Sequence, residues 1–440
     1  METYKTDIEW FKELPVGWSS FRFVDYIDLK HGFQFRDFDF TDEGIKIVKI
    51  TQLNQDGSLD LSDCSFIEAK RLDEFNDILI KEGDILMALT GGTIGKIIRC
   101  AEIKEPLLQN YRVGNFIPFR GLDKGFLFYL LSSQLTLDQI DYYINRNGQP
   151  NIGKENFKRM FFPFPPKPEQ TAIANYLDRK TTTIDKKTAL LQQKIETYKK
   201  LRKAIINKAV TKGLDNKVDL KESEIDWIGK IPKHWELKRV KDVLSKNDGG
   251  VWGDFVDDLS EGKIVLRSTE IRLDGKWDIK NPAICALNEK EFLNSHLKKG
   301  DLLLTKSSGS ENHIGKTAYV DDFVENLECA YSNFMQRLRV NSVTESKFLF
   351  WVLNSYIARI QFKIFSKSTT GLGNLSADII NFLIILFPPI KEQRQIADYL
   401  DQKTATIDTI VANLQTQITT LQHLRKVLIN DAVTGKIKVV

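Results

Sequence analysis

The most regular pattern in the chain is an apolar residue at every seventh position of two long segments, near residues 169–211 and 392–434. Such a repeat predicts long α-helices, each of which packs along a partner helix. Prolines precede both segments, and Gly213 and Gly435 lie near their ends, as expected at helix boundaries. The first set is Leu177, Ile184, Leu191, Tyr198 and Ile205, and the second set, 223 residues later, is Leu400, Ile407, Leu414, Leu421 and Leu428.

The order of segments along the chain predicts the orientation of these helices. The first helix ends just before the second globular segment, and the second helix begins where that segment ends. If the helices pack together, they must run antiparallel, with one globular domain at each end. The alternative is that each helix covers only its own domain, which would leave two apolar seams without partners. We therefore expect an antiparallel pair, with helices of roughly 60 Å at ~1.5 Å per residue.

Between the helices the pattern changes to short strand-like runs, and these occur twice. Residues 45–50 match 263–267, and residues 83–86 match 300–303, while an apolar helix is expected at both 126–133 and 348–355. The fold expected is therefore α+β: two similar domains and two long helices that form an antiparallel coiled coil with pseudo-two-fold symmetry. The boundaries expected are 1–165 for the first domain, 166–213 for the first helix, 214–224 for a linker, 225–388 for the second domain, 389–435 for the second helix and 436–440 for a tail.

The two copies agree in their framework but differ in their polar loops, which predicts two similar scaffolds with different binding surfaces. The loops are rich in Asn, Gln, Arg, Lys, Ser and Thr, which are the side chains that contact phosphates and base edges. Exposure alone would also make loops polar, so the hypothesis concerns the set of loops. The candidate DNA-contacting residues are Gln34, Arg36, Thr90, Gly91, Gly92, Thr93, Lys96, Asn110, Arg112, Arg146, Asn147, Gln149, Asn151 and Lys154 in the first half, and Arg267, Ser307, Ser308, Ser310, Asn312, His313, Lys316, Asn333, Lys367, Ser368, Thr370 and Asn374 in the second.

Composition changes this picture only slightly. The net charge is +4, but residues 167–212 hold 12 Lys and Arg against 4 Asp and Glu, so the first long helix is basic. The 4 cysteines are widely spaced and the polar start of the chain does not resemble a signal peptide, so a cytoplasmic protein is expected.

Motifs for catalysis are not recognisable. The stretch from Gly309 to Thr317 resembles a phosphate-binding loop but has five residues between its glycines where that loop has four. The 5 histidines show no metal-ligand spacing, so no metal site is expected. The sequence favours a binding protein over an enzyme.

The repeated motifs resemble those of the DNA-specificity subunit of type I restriction–modification enzymes. The openings Trp10-x(4)-Pro15-x-x-Trp18 and Trp227-x(4)-Pro232-x-x-Trp235 are part of the match. The helix starts Pro166-Lys-Pro-Glu-Gln170 and Pro389-Ile-Lys-Glu-Gln393, the continuations Ile-Ala-x-Tyr-Leu-Asp at 173–178 and 396–401, and the ends Asn-x-Ala-Val-Thr at 207–211 and 430–434 complete it.

The resemblance implies a non-catalytic subunit in which each domain, a target-recognition domain, reads half of a split, asymmetric site on double-stranded DNA. It implies that the helices set the spacing and dock two methyltransferase subunits, with motor–nuclease subunits in the full complex. S-adenosylmethionine, ATP and Mg²⁺ would be bound by those partners and no cofactor by this chain. The alternative from the residues alone is a bivalent protein-binding scaffold, with two adaptor domains on a coiled-coil spacer.

Overall fold

The computed structural model describes residues 2–54, 57–146, 149–366 and 373–439. The chain forms two compact units, of which the first comprises Met1–Gln192 and Gln415–Val440 and the second comprises Gln193–Leu414. Each long helix therefore contributes one end to each unit.

The first unit begins with short strands and ends at a long helix that continues into the second unit. Its elements are β1 (Thr3–Lys5), β2 (Glu13–Pro15), β3 (Ser19–Arg22), α1 (Phe23–Tyr26), β4 (Ile27–His31), β5 (Ile45–Val48), β6 (Ser65–Ile67), β7 (Ile85–Ala88), β8 (Ile97–Arg99), β9 (Leu107–Gln109), β10 (Val113–Pro118), α2 (Lys124–Leu131), α3 (Gln134–Tyr143), α4 (Lys154–Phe157), β11 (Phe161–Phe164) and α5 (Lys167–Lys212).

The second unit repeats this order, and its last helix returns to the first unit. Its elements are β12 (Leu220–Glu222), β13 (Lys230–Pro232), β14 (Glu236–Arg239), β15 (Leu244–Gly249), β16 (Asp254–Phe255), β17 (Lys263–Leu266), β18 (Ala283–Ala286), α6 (Glu289–Ser295), β19 (Leu302–Thr305), β20 (Ser307–Ser308), β21 (Thr317–Tyr319), α7 (Asp322–Glu325), β22 (Ala330–Tyr331), β23 (Met335–Val340), α8 (Ser346–Leu353), α9 (Tyr356–Phe365), β24 (Gly373–Asn374), α10 (Ala377–Phe382), β25 (Ile384–Phe387) and α11 (Ile390–Val433).

The sheets of the two units have matching topologies. Strand order β4-β10-β7-β8 in the first corresponds to β15-β23-β19-β21 in the second, and every pairing in both is antiparallel. A second sheet in each unit contains a parallel pair, β5 with β9 and β17 with β22. The strands β7 and β19 are buried along their whole length, which explains why both read as continuous apolar runs. The predicted α+β class and internal duplication are confirmed.

The motif residues at the start of each long helix fasten it to the domain that precedes it. Trp18 donates its indole N–H to Glu169 at 2.8 Å, and Trp235 donates to Glu392 at 3.1 Å. The glutamines that follow, Gln170 and Gln393, are buried and bridge the helix start to the backbone of the same domain. The Trp and Pro-x-x-Glu-Gln motifs are therefore halves of one structural joint, because a buried indole N–H needs an acceptor.

About two turns further along each helix, an aspartate makes similar contacts with the same domain. Asp178 accepts hydrogen bonds from Tyr129 at 2.7 Å and from Arg99 at 2.8 Å. At the matching position Asp401 accepts from the indole of Trp351 at 2.9 Å. The side chains differ between the copies, but the carboxylate keeps its role.

Each long helix begins at one domain and ends at the other, where an asparagine attaches it. Asn430 accepts the backbone N–H of Leu135 in the first turn of α3 at 3.1 Å, and Asn207 accepts that of Tyr356 in the first turn of α9 at 2.8 Å. Helix starts carry backbone donors without intrahelical partners, so each asparagine supplies a missing acceptor.

Within each unit the two long helices are antiparallel. In the first unit the start of α5, at Leu177, shares a core with the end of α11, at Ile429, and Arg425 pairs with Asp185 further along at 2.9 Å. In the second unit the end of α5 and the start of α11 share a core, and Arg202 pairs with Asp408 at 3.4 Å. The antiparallel arrangement predicted from connectivity is confirmed inside both units.

The apolar positions at seven-residue spacing face inward to different degrees. Leu177, Ile184, Leu191, Leu400 and Ile407 are buried. The other five, namely Tyr198, Ile205, Leu414, Leu421 and Leu428, are half-buried. Two further leucines at matching positions, Leu201 and Leu424, are 45% and 49% exposed.

Two segments differ from the boundaries expected. Residues 214–224, expected as a linker, include β12, which pairs with β13 as β1 pairs with β2. The second copy therefore begins before Leu220, because a short polar strand gave no apolar signal. The expected tail also packs against the protein, since Ile437 and Val439 contact the core of the first unit. Among the described helices, none is both long and apolar enough to cross a membrane.

Candidate nucleic-acid interface

In the first unit, two polar loops meet just after β7 of the four-stranded sheet β4-β10-β7-β8. Thr90 forms a β-bridge with Asn151, and the backbone N–H of Gly91 donates to Pro150 at 2.8 Å. A surface depression of about 340 Å³ lies beside this bridge. Its lining includes four of the residues predicted from sequence, which are Thr90, Arg112, Gln149 and Asn151, and also His31 and Tyr111.

The polar groups of this depression are available for a ligand in different ways. The guanidinium of Arg112 lies over the ring of Tyr111, and its Nε donates to the tyrosine oxygen at 2.8 Å, which orients the remaining nitrogens. The hydroxyls of Thr90 and Thr93 are buried and have no hydrogen-bond partner among the described residues. Because these two oxygens have almost no accessible surface, the exposed side chains Gln149 and Asn151 and the guanidinium of Arg112 are better placed to contact a bound molecule.

The second unit builds the same loop junction, with a serine in place of the threonine and again an asparagine. β20 pairs with β24, so that Ser307 lies opposite Asn374, and the hydroxyl of Ser307 donates to the Asn374 amide oxygen at 2.6 Å. Ser307 corresponds to Thr90 and Asn374 to Asn151. The reason is that Thr90 follows β7 and Ser307 follows β19, and these strands occupy the same place in the two strand orders. A short 3₁₀ turn follows in each unit, Gly91–Thr93 in the first and Glu311–His313 in the second.

A family model described as the type I restriction modification DNA specificity domain matches residues 15–197 and 232–420. The chain belongs to this family. Its two matched segments coincide with the two copies of the internal repeat, so the protein carries two DNA specificity domains.

Relatives and solved structures agree with this assignment. The specificity subunit of the type I restriction enzyme EcoKI from Escherichia coli (strain K12) is 23% identical over 400 residues, which cover 90% of this chain and 83% of that protein. The StySPI specificity subunit of Salmonella potsdam is 23% identical over 444 residues, covering 97% and 90%.

Two solved structures share the fold. A chain from a study of complex assembly and conformational transition of the type I R-M system has a TM-score of 0.69 at 16% identity, covering 96% of this chain and 99% of that chain. The HsdS subunit from Thermoanaerobacter tengcongensis has a TM-score of 0.53 at 15% identity, covering 96% and 98%.

Within the specificity domains, the predicted contact residues fall into three groups by exposure. Exposed residues are Gln34, Arg36, Gly92, Arg146, Gln149, Asn151, Lys154, Ser310, Asn312, His313 and Asn374. Half-buried residues are Thr90, Gly91, Thr93, Lys96, Arg112, Arg267, Ser307, Ser308 and Asn333, while Asn110 and Lys316 are buried. The candidates Asn147, Lys367, Ser368 and Thr370 lie outside the described residues.

Lys316 does not fit the role of a phosphate contact that was expected of it. It is 2% exposed, and its ammonium donates to the carbonyls of Ser268 at 2.9 Å and Ile271 at 2.6 Å. Burial lowers the pKa of Lys316 below its usual range. Its counterpart Lys96 donates to the carbonyl of Leu53 at 3.3 Å. The expectation is corrected for Lys316, whereas the half-buried Lys96 stays a candidate contact.

The glycine before each of these lysines is also structural. Gly315 has φ of +74°, and a Cβ there would lie 2.1 Å from the ring of Phe362. Gly95 has φ of +83°, and a Cβ there would lie 2.8 Å from the side chain of Leu137. Only glycine combines this backbone conformation with such close packing. The Gly-Lys pair that resembles a phosphate-binding loop is thus a packed turn.

Three of the exposed or half-buried cations have carboxylate partners. The pairs are Arg146 with Asp141, Lys154 with Asp28 and Arg267 with Glu270, at 2.5, 2.6 and 3.0 Å. The pairs of Arg146 and Lys154 are exposed and contribute little to stability, so a phosphate can replace the carboxylate there at small cost. Glu270 is buried, and losing Arg267 would leave its charge without a partner. No group of residues suited to hold a metal ion occurs in the part of the chain that the structure describes.

Sequence reasoning missed several residues that lie beside the predicted ones. Tyr111 and His31 line the depression in the first domain. In the second domain Trp252 and Phe334 are exposed and in contact. An aromatic residue in a Gly-rich polar stretch, as in Gly249-Gly-Val-Trp-Gly253, was the available signal.

Proposed function

We propose that each specificity domain reads one half of a bipartite, asymmetric DNA sequence. The loop junctions at Thr90–Asn151 and at Ser307–Asn374 form the centres of the two reading surfaces. The observation that supports this most directly is that both junctions follow corresponding strands, β7 and β19, while the loops attached to them differ in sequence and length, as in residues 90–96 and 307–316. A shared scaffold with different polar loops is the arrangement expected of two readers of different sequences.

The long helices would act as the spacer between the readers. Each is tied to one domain at its start, through Glu169 or Glu392, and to the other domain at its end, through Asn207 or Asn430. Joints at both ends restrict the movement of a domain relative to the helix that it holds. A restricted spacer raises the effective concentration of the second reader once the first has bound DNA.

The same helices would dock two methyltransferase subunits. The exposed leucines Leu201 and Leu424 support this, because they occupy matching positions on α5 and α11. S-adenosylmethionine, ATP and Mg²⁺ would be bound by the methyltransferase and motor–nuclease partners, while this chain is the non-catalytic reader. The complex would then act on DNA in the cytoplasm.

The test is selection of binding sites from random duplex DNA by this chain in complex with its methyltransferase subunits. Two short conserved elements separated by a fixed gap are expected, together with a steep loss of affinity as salt rises. In the wild-type complex each wrong base pair should cost ~1–3 kcal/mol. The double substitution Ser307→Ala and Asn374→Ala should reduce that penalty in one element only.

The matched variant is Thr90→Ala with Asn151→Ala, which should change the other element and leave the first intact. Relaxation of both elements by either variant would contradict the model of two independent readers. Binding with no preference for any sequence and no salt dependence would support the protein-binding scaffold instead.

A further inference from the structure

The second specificity domain presents two aromatic rings on its surface. Trp252 is 72% exposed and Phe334 is 48% exposed. Their ring centroids are 5.6 Å apart, in an edge-to-face arrangement. Single exposed aromatic residues are common, but two in contact form an apolar patch on an otherwise polar surface.

Backbone hydrogen bonds place these rings beside the loop junction. The carbonyl of Phe334 accepts the N–H of Lys306 at 3.0 Å and that of Ser307 at 3.3 Å. Val251 directly precedes Trp252. Its N–H donates to the carbonyl of Tyr331, and its carbonyl accepts the N–H of Asn333, just before Phe334. The rings are therefore held on regular backbone next to Ser307 and Asn374.

The first domain has polar side chains at the matching positions. The carbonyl of Arg112 accepts the N–H of Leu89 as that of Phe334 accepts the N–H of Lys306, so Arg112 corresponds to Phe334. Phe33 donates its N–H to Gln109 and accepts that of Tyr111, which is the pattern that Val251 forms in the second domain. Gln34 therefore corresponds to Trp252. One framework site thus carries an arginine and a glutamine in one reader and two aromatic rings in the other.

These side chains favour different base pairs. An arginine at such a site can donate two hydrogen bonds to guanine. Aromatic rings cannot do this, and the apolar group that the major groove offers is the C5-methyl of thymine. We propose that Trp252 and Phe334 contact thymine methyl groups in the half-site read by the second domain. This inference rests on the proposed function, and it adds the base that this surface selects.

The methyl contact differs from insertion of a ring between base pairs. An inserting side chain has to leave the protein surface and unstack a base step. Phe334 is about half covered, and it leans edge-on against Trp252. Contact with a methyl group in the groove requires no unstacking of bases.

The experiment uses the complex of this chain with its methyltransferase subunits and duplexes that contain its selected site. Each thymine of the half-site read by the second domain is replaced in turn by deoxyuridine, which removes only the methyl group. Affinity should fall about three- to fivefold at one or more positions, the value for loss of a single buried methyl. In a Trp252→Ala, Phe334→Ala variant the same replacements should leave affinity nearly unchanged, because no methyl is buried there.

Two controls accompany these measurements. Deoxyuridine in the half-site read by the first domain should affect wild type and variant equally. The variant Phe323→Ala removes a ring that is 60% exposed on α7, and it should keep the full sensitivity to deoxyuridine.

The outcomes separate the inference from the proposed function. Specific binding in which wild type ignores every deoxyuridine would overturn the inference and leave the two-reader function standing. An increase of 2-aminopurine fluorescence that depends on Trp252 would show an unstacked base and replace methyl contact with insertion. Failure of the wild-type complex to select any sequence would instead refute the proposed function.

Discussion

At the scale of single residues, the repeated motifs serve attachment more than chemistry. Asn207 and Asn430 each accept a backbone N–H at the start of a helix that lies far away in the sequence. Glu169 and Glu392 each accept an indole N–H. Such contacts explain why the two copies share these residues, because each motif supplies an acceptor to one donor of a domain.

The asparagines provide a direct test of this role. Replacing Asn207 by Ala should lower the free energy of unfolding by ~1 kcal/mol, because the first turn of α9 loses an acceptor. Asn430→Ala should do the same through α3. Chemical denaturation of each variant would measure the effect, with the exposed Lys208→Ala as control. Equal stability of Asn207→Ala and Lys208→Ala would show that the hydrogen bond contributes nothing.

Two cations in the polar loops are expected to behave in opposite ways. Lys316→Met leaves the carbonyls of Ser268 and Ile271 without their donor, so stability should fall by ~1–3 kcal/mol while the salt dependence of DNA binding stays unchanged. Arg112→Ala should leave stability nearly unchanged and relax selection at one base pair by ~1–3 kcal/mol. Denaturation together with binding at several salt concentrations distinguishes them. A reduced salt slope in Lys316→Met would contradict the structural role.

At the scale of elements, the seven-residue spacing predicted both long helices closely. The expected ranges of 166–213 and 389–435 compare with Lys167–Lys212 and Ile390–Val433. Long periodic patterns are reliable because many positions support the same period. Short elements were harder to predict. The polar three-residue strand β12 leaves no such pattern, and its existence depends on the partner strand β13.

Adjacent leucines on α5 test the seam. Leu191 is 6% exposed and Leu190 is 52% exposed. Leu191→Ala should therefore cost ~2–5 kcal/mol, since it leaves a cavity in a packed interface. Leu190→Ala should change the unfolding free energy by only ~0.5 kcal/mol or less. Thermal or chemical denaturation of the two variants is the measurement, and similar losses for both would mean that the helix does not pack through this face.

At the scale of the whole molecule, the duplication links two readers to two helices that each engage both units. The proposed spacer function predicts how helix length affects the DNA target. Adding one heptad to both α5 and α11 preserves the apolar period and lengthens each helix by ~10 Å. The gap between the selected half-sites should then grow by about three base pairs, at ~3.4 Å per base pair.

Insertion into α5 alone is the control for this experiment. It should impair folding, because the two seams no longer match in length. Site selection with the doubly extended chain provides the readout. An unchanged gap would refute the spacer function while leaving sequence reading intact.

Docking of the methyltransferase subunits is testable at the same scale. The double variant Leu201→Asp, Leu424→Asp places charges at the two matching exposed positions and should abolish co-purification of both partners. The pair Lys203→Asp, Lys426→Asp changes exposed residues about half a turn away on the same helices and should retain them. Equal retention in both variants would exclude the leucine face as the docking surface.

The sequence by itself determined the duplication, the long helices and their antiparallel order, because periodic apolar positions and chain connectivity are local and additive signals. It also located the polar loops, of which Thr90, Arg112, Gln149 and Asn151 come together around one depression. Only the tertiary structure decided which polar side chains face outward. Lys316 looks like a free cation in the sequence, yet two carbonyls from a distant turn enclose it. The fold also leaves Trp252 exposed beside Phe334, a pairing that the sequence does not indicate. Burial depends on residues brought together from far apart in the chain, and that information exists only once the chain has folded.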